Sequence, residues 1–276
     1  MCKVLKVSRS GYYKWLKSTP SKRSIENQSL LGRIRQIHQD SKQTYGSPRV
    51  AKALQKEGYR VSRPRVARLM NRHGIRSAVK KRFVATTDSR HHFPVAPNLL
   101  KRNFEAASIG QAWVSDITYV STRQGWLYLT VIIDLADRMV IGWAISNGMA
   151  ASQTTIPAFR MAVNNRPINQ PLIFHSDRGV QYACGAFTRM LAAYPLVRQS
   201  MSRKANCWDN AVAESFFKTL KVELVYRHKY QNQIQANKAV FEYIEIWYNR
   251  RRIHSALGYL TPYQKAVQLK HFINAA

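Results

Sequence analysis

Three acidic side chains stand where acids are least expected. Asp116 lies inside an apolar, β-branched run between Val114 and Val120, although aspartate is among the poorest strand formers. Asp177 closes a short apolar run, Pro171 to Phe174 followed by His175 and Ser176, at the carboxyl end of a strand where α/β sheets place their sites. Glu214 lies early in a helical stretch, with Lys218 and Lys221 at i+4 and i+7 on the same face. Singly, each has an ordinary reading: a structural strand-end Asp, or a surface Glu–Lys pair. Gathered, they need cations. Two like charges ~4 Å apart repel by roughly 1 kcal/mol in water and about 4 kcal/mol in a partly buried site, and a buried Asp without a partner adds a large desolvation cost. Hard divalent ions with oxygen ligands meet the need, and Mg²⁺ takes few carboxylates plus phosphate oxygens of a substrate. A pair of such ions activates an attacking oxygen and stabilises a leaving one in an in-line displacement at phosphorus.

The elements around these acids predict how they meet. Trp113 to Val120, Leu127 to Asp134 and Met139 to Ile145 are closely spaced β-branched or aromatic runs, an antiparallel meander. A helix over about Ser152 to Asn165, the strand Pro171 to Phe174, a helix over Cys184 to Ala193, a strand near Leu196 to Ser200 and a helix from about Asp209 follow. The order βββαβαβα predicts an α/β fold, a mixed five-stranded sheet with helices on both faces. In that order the first strand is central and the fourth lies beside it. Asp116 and Asp177 then become neighbours, and the last helix carries Glu214 to them.

The rest of the chain is unusually basic. Its 276 residues hold 44 Lys and Arg against 14 Asp and Glu, a formal +30, whose self-repulsion a polyanion relieves. Residues 1–105 carry 25 basic and 5 acidic residues, a net of +20. Membrane is the poorer partner. The longest apolar run, Leu127 to Ile133, is far below the roughly 20 residues of a span, and Lys3, Lys6, Arg9 and Lys14 break any secretory signal. Cys2, Cys184 and Cys207 form no CxxC pair, so reduced thiols in a cytoplasm are the expectation. His91 and His92 are adjacent but lack the cysteines of a zinc finger.

Residues 1–85 read as a basic helical region. Ser24 to Gln39 has helical apolar spacing, Ser47-Pro48 reads as N-cap and first turn of a helix ending before Gly58, and Ser62 caps another that Gly74 stops. Two short helices about a tight turn form a helix-turn-helix-like unit. On the second, Arg65, Arg68 and Arg72 share a face, either solvated or set against DNA phosphates. Residues 86–105, with Pro94 and Pro97, read as a linker, and 106–270 as the catalytic core with basic C-terminal helices.

Other residues carry paired readings. Lys218, Lys221 and Arg178 contact phosphate or balance local charge. Arg250, Arg251, Arg252 and His254 form a basic run suited to DNA. Asp209 reads as the N-cap of the Glu214 helix rather than a fourth ligand, and Asn210, one turn before Glu214, as its positioner. His175 reads as a packed strand-end residue rather than one near substrate, and Trp208 either stacks on a base or is buried. No GxxxxGK[ST] loop is present.

The motifs together resemble one family. Trp113-Val114-Ser115-Asp116-Ile117-Thr118-Tyr119, His175-Ser176-Asp177-Arg178-Gly179-Val180-Gln181-Tyr182, Ser200 to Ala211 running on to Glu214-Ser215-Phe216-Phe217, Tyr248-Asn249-Arg250-Arg251-Arg252-Ile253-His254 and Tyr45-Gly46-Ser47-Pro48-Arg49 are similar to the second-frame (OrfB-type) DDE transposases of the insertion-sequence-three family. The chain departs from the pattern in having one extra residue between Asp177 and Glu214, expected near Tyr194 to Arg198, and in Val180 and Ala205. The resemblance implies a retroviral-integrase-like, RNase H-like core. It also implies Mg²⁺-dependent cleavage at element ends and strand transfer into target DNA, with Asp116, Asp177 and Glu214 binding two Mg²⁺ that Mn²⁺ could replace. An upstream-frame helix-turn-helix protein or frameshift fusion, and a homo-oligomer on double-stranded DNA, are the implied partners. A non-catalytic DNA-binding regulator is the competing expectation.

Overall fold

The computed structural model describes residues 2–78, 93–204 and 206–275, and His91, His92 and Ala205 lie outside them. The chain divides into two compact units, Met1–Ala78 and Val79–Ala276.

The first unit is helical. α1 (Arg9–Leu16) is capped by Ser8, whose hydroxyl accepts from the Gly11 N–H. It buries no residue, so no apolar period betrays it. α2 (Lys22–Asp40) starts at the Ser21 cap, slightly before the predicted Ser24. α3 (Ser47–Lys56) begins after Gly46, which leaves Ser47 inside the helix rather than capping it. α4 (Arg63–Arg72) has the predicted Ser62 cap, with the side chain accepting from Arg65 N. Gly58 (φ +89) and Gly74 (φ +64) end α3 and α4 in the left-handed region that favours glycine. Ile34, Val50, Leu54 and Val66 are fully buried where α2, α3 and α4 pack.

The second unit holds a five-stranded mixed sheet in the order β3-β2-β1-β4-β5. β1 (Ala112–Thr122), β2 (Gly125–Asp134) and β3 (Val140–Ser146) form the predicted antiparallel meander, and β4 (Leu172–Ser176) and β5 (Val197–Met201) add in parallel. α5 (Thr155–Asn165) lies against β3 so closely that a Cβ on Gly142 would meet the Ala158 carbonyl oxygen at 2.2 Å. Glycine is required there. A short α6 (Val180–Ala183), absent from the sequence expectation, precedes α7 (Gly185–Ala192), and the turn at 193–196 leads to β5. Trp113, Phe159, Phe174, Tyr182 and Phe187 fill the core with edge-to-face or tilted rings. Buried Asp134 and Asp137 share one cation, Arg166, at 2.6 and 2.7 Å.

A single 3₁₀ turn, Cys207–Asn210, leads into α8 (Ala211–Glu223), so the predicted start near Asp209 falls in the turn. α9 (Gln233–Phe241), a π-helical segment (Glu242–Tyr248) and α10 (Pro262–Ala275) complete the chain. Among the described residues no helix is long and apolar enough to cross a membrane.

Candidate active site

The parallel ladder between β1 and β4 pairs Ser115 with Ser176. Asp116 and Asp177 are the next residues on each chain and so leave the ladder at the same level. Asp116 keeps one carboxylate oxygen on the Ile117 N–H (2.8 Å), and Asp177 accepts from Gly179 N–H (2.9 Å) in the turn toward α6. Behind them Ser115 donates to the Val131 carbonyl and shares a 2.8 Å hydrogen bond with the buried Tyr182 hydroxyl. The strand end is thereby held from below.

α8 reaches this edge through Asn210, whose Nδ2 donates to the Ser115 carbonyl at 3.0 Å. Glu214 follows one helical turn later, exposed on α8. The three acids influence one another electrostatically. Burial pushes the Asp116 carboxyl well above the usual range, and the charges of Asp177 and Glu214 push it further. Desolvation and Asp177 likewise raise Glu214. Half-buried Lys221 opposes this: its charge favours ionised Asp116, while burial lowers its own pKa. Among the described residues, no three His, Cys, Asp or Glu are set close enough together to hold a metal ion as they stand. Asp116 and Asp177 follow the last pair of the parallel ladder, and Glu214 lies on α8 one turn after the Asn210 anchor. An all-oxygen donor set whose members resist ionising beside one another fits a hard divalent cation.

The remaining predicted residues separate. Lys218 is exposed on the face of α8 that carries Glu214. Arg178 donates from Nε to the Ser202 carbonyl (2.7 Å), tying the loop after β4 to the one after β5. His175 is packed, its ring nitrogens against the Ser200 and Ser202 hydroxyls, and burial lowers it to about 4, so it is neutral near pH 7. Trp208 is 68% exposed rather than under the helix.

Asp209 corrects its expectation. It caps nothing: the N-cap position of α8 is Asn210, without a side-chain cap bond. Its fully buried carboxylate takes hydrogen bonds from the Arg203 side chain and N–H, Arg102 Nε and Asn98 Nδ2. The Arg203 contact is the main reason its pKa lies well below the carboxylate range. Arg252 also departs from its DNA-contact reading. It is 4% exposed and locked on Glu223 at 2.9 Å, where Tyr243 and Trp247 donate to the same carboxylate. Arg250 and Arg251 stay exposed. In the first unit Arg65 is turned inward to Asn27 and Glu26, tying α4 to α2, whereas Arg68 and Arg72 are exposed. Sequence spacing could not reveal most of these partners, which apart from Arg203 lie 24 to 111 residues away. The signal for Asp209 was Arg203 six residues before it, across a turn.

Comparison with known proteins extends the picture over most of the chain. Residues 25–83 match an HTH-like domain, and residues 107–207 and 196–262 match two integrase core domain models. An insertion element IS600 uncharacterized 31 kDa protein of Shigella sonnei is 42% identical over 262 residues, covering 95% of this chain and 96% of that one. Transposase InsF for insertion sequence IS3A of Escherichia coli K12 is 40% identical over 266 residues, covering 96% and 92%. The solved HTLV-2 integrase catalytic core domain in complex with magnesium superposes with a TM-score of 0.42 at 18% identity, covering 58% of this chain and 97% of that one.

Proposed function

The chain belongs to the family of insertion-sequence transposases that includes InsF of IS3, and from that premise we propose that Asp116, Asp177 and Glu214 are the residues that carry its reaction. The activity is that of a DDE transposase with an integrase-like core: phosphodiester cleavage and transesterification on DNA. The observation that carries the residue assignment is the β1–β4 register, which brings Asp116 and Asp177 off one sheet edge at one level, with α8 anchored beside them by Asn210.

The two aspartates, joined by Glu214, would hold divalent cations, Mg²⁺ with Mn²⁺ able to substitute, and a pair of ions best matches three carboxylates. When bound, such ions supply charge for the attacking and leaving oxygens at phosphorus. The chain's own groups do the rest. The charge of Lys221 favours the ionised form of Asp116 against burial and the neighbouring acids, the Ser115–Tyr182 pair steadies the strand, and Lys218 is exposed one turn after Glu214 on α8. The HTH-like residues 25–83 and the +30 charge support binding of double-stranded DNA, at element ends and target. Arg68, Arg72, Arg250 and Arg251 are the exposed cations assigned to that duty. We assign residues 1–85 to DNA binding, 86–105 to a linker and 106–270 to the core. An upstream-frame helix-turn-helix partner or fusion, and a homo-oligomer on DNA in the bacterial cytoplasm, complete the proposal.

The test is incubation of the purified chain, with and without the upstream-frame protein, with labelled element ends and Mg²⁺. Asp116→Asn, Asp177→Asn and Glu214→Gln each take cleavage and joining below detection, while DNA affinity stays within about twofold. Wild-type joining in any of the three removes that residue from the site.

A further inference from the structure

A groove of about 840 Å³ opens beside the acids, between the β1–β2 hairpin and the loop that follows α8. Its walls carry five Tyr and Trp side chains, Tyr119, Trp126, Tyr128, Tyr226 and, at its base, Tyr230. Tyr119 packs edge-on against both Tyr128 and Trp126, with centroids 5.5 and 6.3 Å apart. These rings are not a sealed core. Trp126 is 58% exposed and Tyr226 46%, and large rings left open to water mark a binding surface when they cluster. The cations Arg123, Lys221 and Lys229 line the same groove, and among the described residues no Asp or Glu does.

The groove is rigid at its base and joined to the reacting edge. Tyr230 bridges to Thr122, and its carbonyl accepts from the Arg123 N–H at 3.0 Å, which pins the loop to the end of β1. The buried Tyr230 hydroxyl has no hydrogen-bond partner among the described residues. Lys221 belongs both to the groove and to the electrostatic surroundings of Asp116, and Tyr119 stands three residues beyond Asp116 on β1.

Rings with exposed faces, set among cations only, match one ligand chemistry. A base offers its face to an aromatic ring only when it is unstacked, and the linking phosphates then need positive charge. In intact duplex those faces are covered, so a duplex gains the cations but not the rings. We propose that this groove holds unpaired nucleotides of the DNA strand being processed, stacked on Trp126 and Tyr226 with their phosphates on Arg123 and Lys229. The inference rests on the transposase reading and adds to it the state of the substrate: locally opened, not fully paired, next to the carboxylates.

The full chain is titrated with a short fluorescent oligothymidylate and with a duplex of equal length, and bound 5-iodouracil oligonucleotide is photo-crosslinked and mapped. Trp126→Ala and Tyr226→Ala each weaken the single strand about tenfold and leave the duplex within about twofold. Trp126→Phe, which keeps a ring, recovers most of the loss and so separates stacking from misfolding. Crosslinks fall within residues 119–128 or 225–230. Single-strand affinity unchanged in both alanine variants, or crosslinks confined to other peptides, overturns the inference. Cleavage lost in Asp116→Asn together with unchanged single-strand binding in Trp126→Ala refutes the groove alone; cleavage surviving in Asp116→Asn refutes the residue assignment for the reaction.

Discussion

Replacing Asn210 with alanine removes the hydrogen bond that joins the start of α8 to the Ser115 carbonyl, one residue before Asp116. Two terms set the effect on stability. A buried carbonyl left without its donor costs about 1–3 kcal/mol. Against this, the Asn210 Oδ1 is itself buried with no partner among the described residues, and deleting it removes a similar penalty of smaller size. The net loss is about 1 kcal/mol. The effect on rate follows a different scale. Glu214 rides one turn beyond Asn210, and its helix is then free to shift against β1. A displacement of ~1 Å in a reacting constellation costs roughly 10²-fold. We therefore expect joining to slow by about 10- to 100-fold at saturating DNA, with the Mg²⁺ concentration for half-maximal rate moved upward. Urea unfolding and single-turnover assays across a Mg²⁺ series measure both on one preparation. Asn210→Asp, which keeps the shape but brings a fourth negative charge toward the acids, slows the reaction further. An Asn210→Ala protein that loses about 1 kcal/mol yet joins DNA at the wild-type rate with an unchanged Mg²⁺ requirement refutes a positioning role.

Two further outcomes test the charge assignments. Arg252→Ala strands the buried Glu223 carboxylate, although Tyr243 and Trp247 still donate to it. The cost is therefore near the lower end for a broken buried pair, about 3 kcal/mol. Arg250→Ala stays within about 0.5 kcal/mol in the same urea titration, and equal costs for the two would contradict the burial difference. Asp209 titrates below its ordinary range because Arg203 and Arg102 favour its charged form, so it binds fewer protons folded than unfolded. Its contribution is present above about pH 4 and fades as acid protonates the folded carboxyl. Asp209→Asn destabilises by about 2 kcal/mol near neutrality, with the gap to wild type closing below about pH 4. A gap that does not change with pH argues against the ion pairs.

The core sheet was legible because it is built from local pattern. Each β-branched run between Trp113 and Ile145 emerges as a strand within two residues of its expected ends, since a period of two and a turn are properties of neighbours. Asp116 stood out for the same reason: an acid interrupting such a run is locally anomalous. α1 was missed because it buries nothing and so needs no apolar stripe. The short α6 after Asp177 offers too few residues for a period.

By itself the sequence determined the strands and their order, most of the helices, the basic surplus and the trio of candidate acids, because propensity, alternation and composition act over a few residues. Tertiary structure decided which of the many charges are spoken for. Arg252 and Glu223 lie 29 residues apart and Arg65 and Glu26 lie 39 apart, yet each pair meets, which makes two apparent DNA ligands into internal fasteners. The aromatic groove is likewise absent from any single segment, since Trp126 and Tyr226 face it from elements 100 residues apart. Whether a charge or a ring is available to DNA depends on what folding places against it, and that is a property of packing, not of spacing along the chain.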